Sequence, residues 1–205
     1  MRGRRRGGLG GPWTYWLSRR AASVWSFEPN PEMAAFLARV SSSRVHVENV
    51  ALSDRRGTGT LFVPEGVGRD ALATVSAARS ASGARRIEVP MRTLDEYALD
   101  GVQFIKIDVE GHELEVLRGA ERTLTRCSPT LLVEIEQAFH DESIHVTFDW
   151  LLARGYEGWV RRNRAWAPLS TFDVRRDQLS HNNVKRFDYI NDFAFTPRGQ
   201  RGPTN

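Results

Sequence analysis

The sequence predicts an α/β fold, a mostly parallel sheet with helices on both faces. Two apolar runs carry that expectation. Val102 to Ile107 is rich in β-branched residues and stops at Asp108, and Thr130 to Glu136 repeats the pattern and also ends in acids. Such runs read as strands buried on both faces, as in a parallel sheet covered by helices. The third observation is a change of period: from Glu113 onward Leu114, Leu117 and Leu124 fall three and seven residues apart, the stripe of an amphipathic helix. Between strand and helix, Asp108, Glu110, His112 and Glu113 crowd one turn. In open α/β sheets ligands bind outside the carboxyl ends of the strands, where this turn lies. Asp108 and Glu110 serve equally as caps that complement the helix dipole.

Composition bounds the rest. The 205 residues, 40% hydrophobic and 26% charged, suit one soluble globular domain. No run reaches the roughly 18 apolar residues of a membrane span. Cys127 is the only cysteine, which excludes an intrachain disulfide or a multi-cysteine zinc site and fits a reducing, cytoplasmic setting. The net charge is +4, yet Lys106 and Lys185 are the only lysines among 29 basic residues. A phosphate-binding surface mixes lysine with arginine and interleaves aromatics. The scattered arginines argue against a nucleic-acid partner and for a coding bias.

In order, residues 1–12 form a basic head with Arg4-Arg5-Arg6 and the glycines Gly7, Gly8, Gly10 and Gly11, expected to be disordered. No apolar stretch follows to make it an export signal. Trp13, Trp16, Leu17 and Ala21 have helical spacing to about Ala22. Val24 to Phe27 is a strand ending at Glu28, and Pro31 suits the first turn of a helix over Glu32 to Val40. Arg44 to Val50 alternates as a third strand and passes into the turn Asn49 to Asp54. Gly57 to Val63 and Ile87 to Val89 read as strands or a hairpin around a loose segment, 64–86, either a lid or filler. Thr93 to Tyr97 is a short helical entry. A helix over Ser143 to Arg154, a strand over Tyr156 to Val160 and a last strand over Asp188 to Phe195 follow. Pro197 ends the packed domain, 13–197, and residues 198–205 are an expected disordered tail.

Phe27-Glu28-Pro29-Asn30-Pro31, Asn49 to Asp54, Thr93-Leu94-Asp95-Glu96, Phe104 to Gly111 with Glu113, Leu117 and Gly119, and Asn191-Asp192-Phe193 stand in that order. Together they closely resemble the FkbM-type methyltransferases, which use S-adenosylmethionine (SAM). The resemblance runs from about Thr14 to Pro197 and implies a Rossmann-like class I methyltransferase sandwich. An acid ending the second strand of such folds accepts both ribose hydroxyls, and the resemblance gives Glu28 that role, with Asn30 beside it. Ala51 or Leu52 packs on the adenine or serves the core. Asp108 lies where methyl donor and acceptor meet.

Methyl transfer requires alignment of nucleophile and sulfonium and exclusion of water. A hydroxyl acceptor also needs a base or a metal. Asp108 and His112 are the candidates for the base, and Glu110 shares their turn. Asp108, Glu110 and Glu134 are alternatively oxygen ligands for a divalent ion. The resemblance implies a hydroxyl on a sugar, lipid or secondary metabolite as acceptor. A different Rossmann enzyme, a binding module of this fold and a truncated, silent remnant are the alternatives. Oligomeric state leaves no trace in the sequence.

One departure stands out. Family members carry, just before the helix that matches Thr14 to Ala22, a first strand ending in an acidic, glycine-rich turn of the type Asp-Val-Gly-Ala-Asn-x-Gly, which wraps the amino-acid part of SAM. In that register Gly11 takes the last glycine and Gly7 the first, the acid falls on Arg5, and the strand falls on Met1 to Arg4. The expectation is that this central first strand is absent, that residues 1 to about 11 are disordered or extended, and that the chain is low-melting and binds SAM poorly.

Overall fold

Apolar runs and helix stripes form most of the expected elements, several of them with different bounds. The computed structural model describes residues 11–64, 74–75, 84–181 and 188–204. The chain divides into two compact units, Met1–Thr93 and Leu94–Asn205.

The first unit holds α1 (Gly11–Ser18), β1 (Val24–Phe27), α2 (Pro31–Val40), β2 (Val45–Glu48), β3 (Ala51–Leu52), β4 (Gly57–Val63) and β5 (Arg85–Arg92). Asn30 starts α2: its side chain accepts from Glu32 N at 3.0 Å, and Pro31 follows with its ring preset for the helix. Leu37 buries the inner face of α2. The helix returns the chain so that β1 and β2 pair in parallel, with Phe27 beside Glu48. The strand expected to run to Val50 stops at Glu48. Ala51 and Leu52 instead pair in parallel with Met91 and Arg92, opening a second sheet in the order β3-β5-β4. The strand expected over 87–89 spans eight residues because all of β4 pairs with it, antiparallel. Ala51, Leu61, Val63 and Val89 form its buried core.

The second unit holds β6 (Phe104–Ile107), α3 (Glu113–Arg118), α4 (Glu121–Cys127), β7 (Thr130–Glu134), α5 (His145–Leu152), β8 (Tyr156–Arg162), β9 (Ala165–Pro168), α6 (Val174–Asp177) and β10 (Asp192–Pro197). They form a five-stranded sheet in the order β6-β7-β10-β8-β9. Here the mostly parallel sheet gives way to a mixed one. Only β6 and β7 run parallel; β10 is antiparallel to β7 and to β8, and β9 is antiparallel to β8. The physical reason for the last pair is local. Asn163 and Arg164 both have positive φ, 51° and 67°, as in a two-residue type I′ hairpin, too short for the crossover that parallel strands need. Four phenylalanines, Phe148, Phe172, Phe193 and Phe195, make the buried core beneath this sheet.

The single helix expected from Glu113 onward is two helices, parted at Gly119 and Ala120. Asp95 explains the break, since it caps a second helix start from outside. Its carboxylate accepts from Arg122 N at 2.9 Å, Thr123 N at 2.8 Å and Thr123 Oγ1 at 2.7 Å. Burial works to raise this carboxyl, but those hydrogen bonds and the Arg122 guanidinium hold it below the ordinary aspartate value. Asp95→Ala should therefore cost about 1–2 kcal/mol at neutral pH. A carboxyl with a depressed folded value stabilises the fold above the unfolded value of about 3.9 and loses that contribution as pH falls through the folded value. Chemical denaturation at pH 7 and pH 3 should show the gap between wild type and variant closing in acid.

The last strand begins at Asp192 rather than Asp188, and Pro197 is its final residue rather than a point beyond it. After it, Arg198 N donates to Gly155 O at 2.8 Å, and Gly202 lies against the Trp159 ring. The expectations for residues 1–10 and for most of the segment 64–86 lie outside the described residues. Among the described residues, β1 pairs with β2 alone and β6 with β7 alone. No described helix is long and apolar enough to cross a membrane.

Candidate active site

The carboxyl ends of β6 and β7 lie side by side, because the two strands are parallel and in register from Phe104 opposite Thr130 to Ile107 opposite Val133. Each strand therefore delivers its terminal acids to the same edge. Lys106 stands among them, with its side chain 8% exposed, and its Nζ is 3.4 Å from Glu134 Oε2 and 3.3 Å from Asp192 Oδ1. Asn191, at the entry to β10, donates from Nδ2 to Glu134 Oε1 at 2.6 Å and to Glu136 Oε1 at 3.0 Å. Tyr189 OH donates to Glu136 Oε2 at 2.9 Å. Burial and the neighbouring Glu136 carboxylate push that phenol well above the ordinary tyrosine value, so it remains a donor.

Asp108 belongs to this set. As a residue it is exposed to solvent, while protein atoms crowd its carboxyl. Crowding raises the carboxyl above the ordinary aspartate value. The Lys106 ammonium and a hydrogen bond with Glu134 pull it back, and the Asp192 and Glu113 carboxylates push it up. Water screens these effects, so they set the direction of the shift and add little to stability.

The turn after Asp108 is shaped by two residues with positive φ, Glu110 at 49° and Gly111 at 96°. Gly111 has no latitude: a Cβ there would stand 2.6 Å from Phe139 O. The missing side chain lets the turn 108–113 close on the segment after β7. Gly111 N donates to Glu113 Oε1 at 2.9 Å, and Glu113 Oε2 is 2.8 Å from His140 Nε2. Glu113, 1% exposed, thus spans both segments. His112 faces along its own helix instead, with Nδ1 3.6 Å from Glu115 Oε2. The structure thus brings Asp108, Glu110, Glu134 and His112 to neighbouring positions in the second unit.

The remaining predicted residues belong to the first unit. Glu28 follows β1, and its Oε1 accepts from Asn30 N at 2.9 Å. Asn49 Nδ2 donates to Glu28 O at 2.8 Å and to Pro29 O at 3.0 Å, fastening the turn. Asn30, 2% exposed, is the cap of α2, and Ala51, 4% exposed, is in the core of the β3-β5-β4 sheet. Leu52 is half-buried, and Gly11 opens α1. A cavity of about 510 Å³ lined by Tyr15, Arg19, Leu37, Val40, Ser41 and Arg44, among others, includes none of these residues. Among the described residues no three histidine, cysteine or acidic side chains converge to hold a metal ion. At Glu134 and Asp192 the countercharge is the Lys106 ammonium.

A family model described as the methyltransferase FkbM domain matches residues 10–157. The chain belongs to the FkbM methyltransferase family. A comparison with curated proteins finds no match. Among solved structures, the chain is similar to methyltransferase FkbM from Methylobacillus flagellatus KT, with a TM-score of 0.50 and 16% identity. That alignment covers 85% of this chain and 36% of the other protein, so the chain spans about a third of that protein's length. The likeness is one of fold.

Several polar residues of this FkbM-family site were not predicted. Lys106 was hidden inside an apolar run, although a lysine there is itself a signal that the strand's end is charged. Glu136 shows only as one of the acids that end an apolar run, and Tyr189 and His140 have no local motif. His140 meets Glu113 only because both follow parallel neighbouring strands.

Proposed function

We propose that the chain is a SAM-dependent methyltransferase that transfers a methyl group to a hydroxyl of a sugar, lipid or secondary metabolite. The polar cluster at the ends of β6 and β7, built from the residues of the family motif, carries this reading. Glu28 fits the ribose: it is a carboxylate at a strand end, and carboxylates accept from paired hydroxyls. Leu52 keeps the partial exposure that a base contact needs. Asn30 and Ala51 are engaged by the fold, so their part is to shape this end of the first unit. SAM supplies an electrophilic methyl group on a sulfonium. Asp108 accepts the hydrogen bond of the acceptor hydroxyl and fixes its direction, and the ammonium of Lys106 keeps the crowded carboxyls from repelling one another.

Isothermal titration of SAM into the chain tests the reading, and absence of binding at any practical concentration would overturn it. Glu28→Gln should weaken SAM by about tenfold, the worth of one charged hydrogen bond; unchanged affinity would remove Glu28 from the site. Asp108→Asn should lower transfer from labelled SAM to a panel of sugar, lipid and metabolite alcohols by about 10²-fold, the usual cost of misdirecting a reactant. Its melting temperature should stay within a degree or two of wild type, because the residue is exposed. A large fall in melting temperature would instead assign Asp108 to capping.

A further inference from the structure

A hydroxyl that becomes a methyl ether must lose its proton, and the cluster around Asp108 is poorly placed to take it. Asp108 and Glu134 already share a hydrogen bond, and Lys106 lies between Glu134 and Asp192. His112 faces a partly exposed glutamate one turn along its own helix, at 3.6 Å. The structure offers a different histidine. His140 follows β7, its side chain is 16% exposed, and its Nε2 is 2.8 Å from Oε2 of Glu113, whose side chain is 1% exposed. The separation is that of a close ion-pair contact; neither atom makes a hydrogen bond with the ring as it stands, and a turn of the ring would bring an Nε2 proton onto the carboxylate. Glu113 is itself fixed, because its other oxygen holds Gly111 N at 2.9 Å. Gly111 in turn abuts Phe139, the residue before His140. Each part of this arrangement places the next.

We propose that His140, oriented by the buried carboxylate of Glu113, is the base that takes the proton of the acceptor hydroxyl. This names a group within the methyl transfer proposed above and rests on that reading. An acceptor at Nε2 holds the ring proton there and leaves the basic lone pair on Nδ1. As the C–O bond forms and the C–S bond of the sulfonium breaks, the hydroxyl proton passes to Nδ1. The positive charge lost from sulfur is then carried by the imidazolium beside Glu113, and the proton leaves to water afterwards. The arrangement follows the general pattern of a base aligned by a third, buried group. Glu113 is a positioning residue: it acts through His140.

Two measurements on the whole chain decide the matter. The first needs no methyl donor. Diethyl pyrocarbonate acylates unprotonated imidazole nitrogens, and its adducts can be located by mass spectrometry among the five histidines. His140 should react several-fold faster than His46, His112 and His145, and Glu113→Gln should remove that advantage. The nitrogen NMR shifts of His140 should report an Nε2–H tautomer that becomes mixed in the same variant. If His140 reacts no faster than the others, or Glu113→Gln changes neither signal, Glu113 does not orient it and the proposal falls.

The second is transfer from labelled SAM to the alcohol panel. His140→Gln should lose at least 10²-fold with SAM affinity unchanged, and added imidazole should restore part of the rate to His140→Ala. Transfer by His140→Gln at the wild-type rate overturns the proposal. Failure of the wild-type chain to bind SAM overturns the function instead, and the labelling still decides whether Glu113 activates His140.

Discussion

Replacing Lys106 with methionine should lower the unfolding free energy by about 2–3 kcal/mol at neutral pH. The expected loss is below the roughly 3–5 kcal/mol of a fully buried broken pair, because Asp192 is nearly half exposed and water screens it. Methionine keeps much of the lysine stem's volume, so the loss reports charge rather than packing. In the variant Asp108, Glu134 and Asp192 face one another with no cation between them. The Asp108 carboxyl already stands above its ordinary value, and removing the ammonium raises it further. A carboxyl with a raised folded value favours the fold below its unfolded value of about 3.9 and loses that contribution as pH rises through the folded value. The deficit of Lys106→Met should therefore be widest at pH 7–8 and narrow toward pH 4. Urea denaturation across that range measures it, and a deficit independent of pH would mean that the lysine stem matters more than its charge.

Phe148→Ala should have the largest effect on stability of any single change considered, about 3–5 kcal/mol. Phe148 is 1% exposed and meets three other phenylalanine rings, with centroids at 4.7 Å for Phe193, 5.9 Å for Phe172 and 6.0 Å for Phe195. These rings come from α5, from β10 and from the segment before α6, so no one element can move to fill the void. A fall in melting temperature of roughly 10 °C is expected for a chain of this size. Phe148→Leu, which keeps most of the volume, should recover more than half of it. A change of only a degree or two for the alanine variant would show that the second unit repacks freely.

What was legible in the sequence was whatever local chemistry writes in one place. Strands β6 and β7 were plain because both are short apolar runs that stop at acids. Those acids, Asp108 and Glu134, were candidates for the same reason. Pro31 marked the start of α2, whereas the cap at Asn30 emerged only in the structure. The break between α3 and α4 was not legible, since its cause, Asp95, lies 26 residues before Glu121 and the stripe of leucines runs through the interruption. The placement of β10 between β7 and β8 escaped as well. An antiparallel partner brought from far along the chain leaves no periodicity of its own. His140 was invisible for a related reason: its meaning depends on Glu113, and their meeting depends on strand order. Motif pieces that looked alike in the sequence also differ in what they do. Asp95 holds a helix end, Asn49 fastens a turn, and Asn191 orients two carboxylates.

The position of β10 has a consequence for how the molecule is made. Of the five described strands of their sheet, residues 192–197 come latest in the sequence, yet they lie in its middle. Phe193, Ala194, Phe195 and Thr196 are all buried, as a strand covered on both faces must be. While a ribosome is still producing the preceding residues, β7 and β8 have no shared neighbour, and the rings of Phe148 and Phe172 lack Phe193, against which both close. The nascent second unit therefore waits with apolar surface uncovered, and its completion is a late, long-range event. Stop codons or proteolytic cuts just upstream of Asp192 should be as damaging as deletions in the core. Slower elongation would lengthen the interval in which chaperones have to shield it.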